Sequence, residues 1–144
     1  MKMDETALTK CLFFTSNRLS NVMRRMANDI YKSTGLSTPS IYLLIVVNQY
    51  PGITMTELSD KLDIAPSTCT RFVNILDKQG ILSKEIEWKT VHIYLTDKGR
   101  KKTEKIDAVM IELAQRCNDI LGPDVAASLP AEMVAAAEKL EKSS

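Results

Sequence analysis

Thr54-Met55-Thr56-Glu57-Leu58-Ser59-Asp60-Lys61-Leu62-Asp63-Ile64-Ala65-Pro66-Ser67-Thr68-Cys69-Thr70-Arg71-Phe72-Val73-Asn74-Ile75-Leu76, continuing to Thr96, reads as two short helices followed by a hairpin. Thr54-x-x-Glu57 is a capping box, in which each residue satisfies an orphan backbone donor of the other. Leu58 and Leu62 supply a buried stripe for the first helix, and Asp63-Ile64-Ala65 breaks the pattern. Pro66 restarts it at a position where its missing N–H costs nothing. In the second helix, Pro66 to Gln79, Cys69, Phe72, Val73 and Leu76 repeat at i, i+3, i+4, i+7, the spacing of one apolar face. Ser67, Thr68, Thr70, Arg71 and Asn74 lie opposite, with Lys78 one turn on, and Gly80 ends the helix. Hydroxyls, an amide and a guanidinium on the free side of a helix are the groups that read base edges in a major groove. The same residues are also ordinary on a solvent-facing helix, so the pair alone does not decide the function.

The segment after Gly80 strengthens the DNA-reading case. Ile81-Leu82-Ser83-Lys84 opens a strand, and Val91, Ile93 and Leu95 alternate with Thr90, His92 and Tyr94 in a returning one. The expected architecture is therefore a two-stranded hairpin with a polar tip, Glu85-Ile86-Glu87-Trp88-Lys89. A hairpin placed after a reading helix can lay a cation on phosphate or enter the neighbouring minor groove.

Pro66-Ser67-Thr68-Cys69-Thr70-Arg71, Leu76-Asp77-Lys78-Gln79-Gly80-Ile81-Leu82 and Leu95-Thr96-Asp97-Lys98-Gly99 together resemble the MarR family of bacterial winged-helix regulators. The resemblance implies a mainly α fold with a small β-wing. In it, residues 36–96 form a winged helix-turn-helix and residues 1–35 and 97–144 a helical dimerisation region of one domain. It implies double-stranded DNA with an inverted-repeat operator as partner, and a homodimer. DNA contacts would come from Ser67, Thr68, Thr70, Arg71, Asn74 and Lys78 on the helix, and from Lys84, Lys89 and Lys101. The tip departs from the family's Asp- and Arg-rich wing, leaving Lys89, with Lys84 at its base, as the wing's cations.

The rest of the chain is consistent with that reading. It has 144 residues, 44% hydrophobic and 26% charged, which suits one ordinary core. Net charge is +1, yet residues 66–105 hold nine Lys/Arg against five Asp/Glu, while residues 106–144 hold three against seven. Lys98, Arg100, Lys101, Lys102 and Lys105 cluster at a helix start, where cations oppose the macrodipole and a phosphate partner would relieve the conflict. No apolar run reaches the ~18 residues of a membrane span. Met1-Lys2-Met3-Asp4-Glu5 lacks a signal-peptide layout, so a cytoplasmic protein is expected.

Leu8, Cys11, Leu12, Thr15, Leu19, Val22, Met23, Met26 and Ile30 predict one long amphipathic helix closed by Gly35. Thr38 to Gln49 is apolar nearly all round and predicts a buried connecting helix. Asp97 is the expected cap of a further long helix, with Ile106, Val109, Met110, Leu113, Cys117, Ile120 and Leu121 in its stripe, ended by Gly122-Pro123. An alanine-rich helix carrying Val125, Leu129, Met133, Val134, Ala137 and Leu140 follows. These terminal elements either pack within one chain or intertwine with a second, the arrangement the resemblance implies.

Catalysis is not expected. The one histidine, His92, sits mid-strand, and there is no Gly-rich phosphate loop, metalloprotease motif or nucleophile elbow. Cys11, Cys69 and Cys117 are widely spaced with no Cys-x-x-Cys, so neither a zinc site nor a redox pair is indicated, and neither metal nor cofactor is expected. The resemblance implies a small-molecule effector, and Phe13, Phe14, Arg18, Tyr42 and Tyr50 offer aromatic surface with one cation, suited to an aromatic or amphipathic anion. The same cluster also reads as core. Some members of the family sense oxidants through a first-helix cysteine, which makes Cys11, beside Lys10, the redox candidate. Leu12-Phe13-Phe14 predicts burial there instead. A third alternative is a winged helix that has become a protein-interaction module without DNA binding, a reading sustained by the acidic tip.

Overall fold

Ser37 and Thr54 each start a helix by offering a side-chain oxygen to a backbone N–H, of Ser40 (3.4 Å) and Glu57 (3.2 Å) respectively. Glu57 reaches back to the Thr54 N–H (3.5 Å), closing the expected capping box. These starts punctuate a computed structural model that describes residues 5–143; Met1 to Asp4, on which most of the N-terminal signal reading falls, and Ser144 lie outside it. The elements are α1 (Glu5–Leu8), α2 (Leu12–Tyr31), a 3-10 turn (Lys32–Thr34), α3 (Thr38–Gln49), β1 (Ile53–Thr54), α4 (Met55–Leu62), α5 (Pro66–Lys78), β2 (Leu82–Glu87), β3 (Thr90–Leu95), α6 (Asp97–Leu121) and α7 (Pro123–Lys142). The fold is mainly α with a small antiparallel sheet. Among the described residues no single helix is long and apolar enough to cross a membrane.

Two compact units divide the chain after Val109. The first contains the core. Ile41, Leu43, Leu44 and Val47 of α3, Leu58 of α4, Cys69 and Val73 of α5 and Ile93 of β3 are all completely buried. The position of α3 is the expected one, and its all-round apolar sequence is accounted for by burial on several sides.

The sheet differs from the expected hairpin. Its order is β1-β3-β2, with Ile53 opposite Ile93 and Thr54 opposite His92, so a third strand is added. Two residues are too few to show the alternation that betrays a strand. Gly52, at φ +83°, turns the chain into it and donates its N–H to the Ile93 carbonyl. The wing tip is also shorter than expected. Leu82 through Glu87 pair with Leu95 through Thr90, so Glu85, Ile86 and Glu87 are strand residues and only Trp88-Lys89 form the turn. Trp88 has φ +61° and its side chain is almost wholly in solvent. A two-residue connection matches the strand twist only with left-handed backbone, and no glycine is available to supply it.

The Thr96-to-Gly99 segment locks the wing to the next helix. Thr96, not Asp97, is the cap: its hydroxyl oxygen accepts from the Gly99 N–H (3.1 Å) while its O–H donates to the Gly80 carbonyl (2.5 Å). Asp97 instead pairs with Arg100 in the first turn. A hydroxyl both donates and accepts, whereas a carboxylate could not serve the Gly80 carbonyl. Gly99 is buried, and a Cβ there would overlap the Ile81 carbonyl oxygen. Gly99→Ala should therefore lower stability by about 1–3 kcal/mol through overpacking against backbone. A urea melt should show an earlier midpoint at unchanged slope; an unaltered midpoint would mean that the contact relaxes without cost.

The terminal helices diverge most from expectation. The first long helix is broken: α1 ends at Leu8, and Cys11 stands at the N-cap of α2 in extended conformation. Of the expected stripe, only Ile30 is fully buried, joined by Ala27 and Tyr31, while Leu12 and Phe13 are 65% and 79% exposed. Burial of Leu12-Phe13-Phe14 is thus not realised in the single chain. In the second unit, α7 buries no residue, although Val125, Met133, Val134 and Leu140 line it. Pro130 lies inside this helix, removing one intrahelical hydrogen bond.

Candidate nucleic-acid interface

The two helices of the motif are set by their turn. Asp63 takes left-handed backbone (φ +53°), a conformation its short polar side chain tolerates, and the Ile64 N–H reaches back to the Ser59 carbonyl. Pro66 then begins α5, whose Cys69, Val73 and Leu76 are sealed in the core. Burial raises the Cys69 thiol pKa above its ordinary value, keeping it protonated and unreactive. At the far end Gly80 (φ +75°) stops the helix, and the Ile81 N–H closes the turn on the Leu76 carbonyl.

With one side fixed, the other is presented. Ser67, Arg71 and Lys78 are exposed and Asn74 half-exposed, at i, i+4, i+11 and i+7 along one helical stripe. Thr70 is exposed beside them and donates its hydroxyl to the Pro66 carbonyl (2.9 Å), so what it offers outward is acceptor capacity and a methyl. Thr68 is only half-exposed. The Arg71 guanidinium lies 4.9 Å from the Phe72 ring centroid, a contact that restricts an otherwise freely rotating side chain. Phe72 is accordingly half-exposed rather than fully in the core.

The expected cation cluster divides into two groups. Lys98 donates to the Gln79 carbonyl at the end of α5 (2.8 Å), Arg100 pairs with Asp97, and Lys102 donates to the Thr34 carbonyl (3.2 Å). These three are held by acceptors of the protein's own backbone and first turn, which relieves the conflict with the helix dipole without a phosphate. Lys101 and Lys105 are exposed on α6, and Lys89 at the wing tip. Lys84 is different again. Its ammonium sits 2.8 Å from Asn74 Oδ1 and 3.7 Å from Asp77 Oδ2, tying the wing to α5. Nothing in the periodicity of either element revealed this pairing, which depends on how β2 crosses the helix.

His92 has a structural place. Its Nδ1 lies 2.8 Å from the Gly52 carbonyl, and since a carbonyl can only accept, Nδ1 carries the proton and donates. Glu87 stands 3.9 Å from its other nitrogen. Among the described residues no cluster of metal-ligating side chains occurs.

The residues proposed for effector or redox roles are distributed as follows. Phe13 and Phe14 are exposed on the first turn of α2, with Arg18 one turn beyond Phe14. Tyr42 meets Tyr31 edge-on, their ring centroids 6.3 Å apart, and Tyr50 lies under the Lys61 ammonium at 4.3 Å. Both tyrosines thus have aromatic or cationic neighbours that sequence reading missed. Cys11 is half-buried at the break before α2, and Cys117 half-buried in α6.

Comparison with known proteins agrees with this geometry. A family model described as winged helix-turn-helix DNA-binding matches residues 43–83, from within α3 to the start of the wing. An uncharacterised helix-turn-helix-type transcriptional regulator of Bacillus cereus is 28% identical over 88 residues, 61% of this chain and 60% of the relative. The match thus spans less than two thirds of that protein's length. Among solved structures, the transcriptional repressor CouR bound to a 23-mer DNA duplex superposes with a TM-score of 0.87 at 18% identity, covering 95% of this chain and 99% of CouR. CouR bound to p-coumaroyl-CoA gives 0.84 at 18% identity, over 94% and 98%. A MarR-family regulator from a Rhodococcus species gives 0.82 at 17% identity, over 90% and 94%. At these identities the likeness is one of fold.

Proposed function

From a chain with the fold of the MarR-family winged-helix regulators, we propose a dimeric, sequence-specific DNA-binding transcriptional regulator. It acts as a repressor, released from an inverted-repeat operator by a small aromatic or amphipathic ligand. The observation that carries the reading is the division of α5 into a face locked in the core and a stripe of Ser67, Arg71, Asn74 and Lys78 facing away from it. A rigid helix offering these groups, followed by a wing, is built to enter a major groove in one orientation. Two-fold pairing would set two such helices about one DNA turn apart. The exposed apolar residues of α2 and α7 support that pairing.

The effector reading is supported by Phe14 and Arg18, one turn apart on α2, with Phe13 exposed beside them. CouR, of the same fold, is known with an aromatic acyl thioester. An aromatic surface beside one cation suits that class of molecule.

Gel-shift titration of the DNA flanking the protein's own gene tests the proposal, with unrelated duplex as control. We expect a specific shift that an aromatic acid or its thioester reverses; equal binding to both duplexes would overturn sequence-specific recognition of this DNA, and binding to neither would favour the interaction-module alternative. A salt series sharpens it. Lys89→Ala and Lys101→Ala should each weaken all sequences alike and reduce the log-affinity versus log-salt slope by roughly 1. A change of sequence preference in either variant would mean that it reads bases.

A further inference from the structure

The pairing of Lys84 with Asn74 has a chemical consequence for what α5 recognises. An ammonium has three donors and no acceptor. With Lys84 Nζ 2.8 Å away, the Asn74 amide must therefore present Oδ1 to the lysine, which leaves its NH2 group as the part available to a base edge. The orientation is maintained by Asp77, whose carboxylate lies 3.7 Å from the same ammonium and holds it over the helix. A hydrogen bond to a charged donor is about twice as strong as a neutral one, so the amide does not turn over readily.

Free asparagine reads adenine with both ends, accepting from the N6 amino group and donating to N7. That mode requires Oδ1. Its second lone pair remains, but a base amino group using it would arrive beside the ammonium, donor facing donor. The positive charge also polarises the amide and strengthens its N–H groups as donors. Guanine presents two adjacent acceptors, O6 and N7, at the corresponding place in the groove.

We propose that Lys84 is a positioning residue that turns Asn74 from an adenine reader into a donor-only reader selecting a guanine edge. The proposal rests on α5 being the DNA-reading helix. It reassigns Lys84 from the phosphate contact expected of a wing-base cation: Asp77 offsets its charge, and the ammonium faces the helix.

The test is selection of binding sites from a randomised duplex library by the full-length protein and its variants, each checked for an intact thermal transition. At one base pair per half-site the native protein should prefer guanine over adenine by about tenfold or more. Lys84→Met should move that preference toward adenine by about tenfold or more at this position and leave the other positions unchanged. Lys84→Arg, which still donates to Oδ1, should retain the native preference. Asn74→Asp keeps an oxygen for Lys84 but removes both amide donors and should lose the guanine preference, which tests the idea even if the methionine variant does not fold. The double variant Lys84→Met/Asn74→Ala should match Asn74→Ala alone at that position. A salt series on Lys84→Arg and Lys84→Met should show equal slopes, unlike Lys89→Ala. If Lys84→Met weakens all sequences equally with native preferences intact, or Asn74→Asp still selects guanine, the assignment is overturned while DNA reading by α5 stands. Failure of the native protein to select any sequence would overturn the DNA-binding reading itself, and this inference with it.

Discussion

Arg71→Ala should largely abolish specific operator binding and leave the fold intact. Arg71 is exposed on α5, and a bidentate arginine–guanine contact is worth roughly 1–3 kcal/mol of discrimination. The proposed two-fold dimer would use it twice, so the loss should be about 2–6 kcal/mol, a thirtyfold to more than ten-thousandfold fall in affinity. The structural cost is small by comparison. Only the contact with the Phe72 ring disappears, and an exposed cation–π pair contributes ~0.5–1 kcal/mol. Operator affinity and thermal midpoint should be measured on the same preparation. Native affinity in a folded variant would remove α5 as the reader.

Ending the chain after Gly122 should have the other large effect. It deletes α7, none of whose residues is buried in the single chain: the apolar Val125, Met133 and Leu140 are 44%, 47% and 60% exposed. If these and Leu129 are covered by a second subunit, each contributes at most ~1.5–3 kcal/mol. Together that is up to ~6–12 kcal/mol per chain, more than the whole stability of many domains. Sedimentation should show a dimer for the full-length protein and either monomer or unfolded chain after truncation. The full-length melting temperature should rise with protein concentration, because dissociation and unfolding are then coupled. A full-length chain that sediments as a stable folded monomer would end the proposal of a dimer built on the terminal helices.

The winged helix was legible residue by residue because its signals are local. The Thr54–Glu57 box, Pro66 at a helix start, the period of Cys69, Val73 and Leu76, and Gly80 at a left-handed stop each act within a few positions of chain. Local rules fail where a residue's partner is remote. Asp97 is an acceptable helix cap by composition, but Thr96 takes the place because only a hydroxyl can also donate to Gly80 across the wing. Lys98 and Lys102 belong to one basic run in sequence, yet are drawn to the carbonyls of Gln79 and Thr34 once α6 packs. β1 escaped notice because two residues have no period, and its pairing with β3 is visible only across the sheet.

What the sequence determined by itself was therefore the succession of helices from α3 to α7 around a hairpin, the burial of α3, the buried face of α5, and the chemical groups left on the outer stripe of α5. Hydrophobic period and capping are written within single helices, so one chain read alone suffices for them. Tertiary structure alone decided which of those groups face outward unengaged and which are already held. Lys84 and Asn74 are ten residues apart on different elements, and their 2.8 Å contact exists because β2 returns along α5. Hydrogen bonds form between atoms brought to within about 3 Å, and sequence distance carries no information about that separation once the chain has turned back on itself.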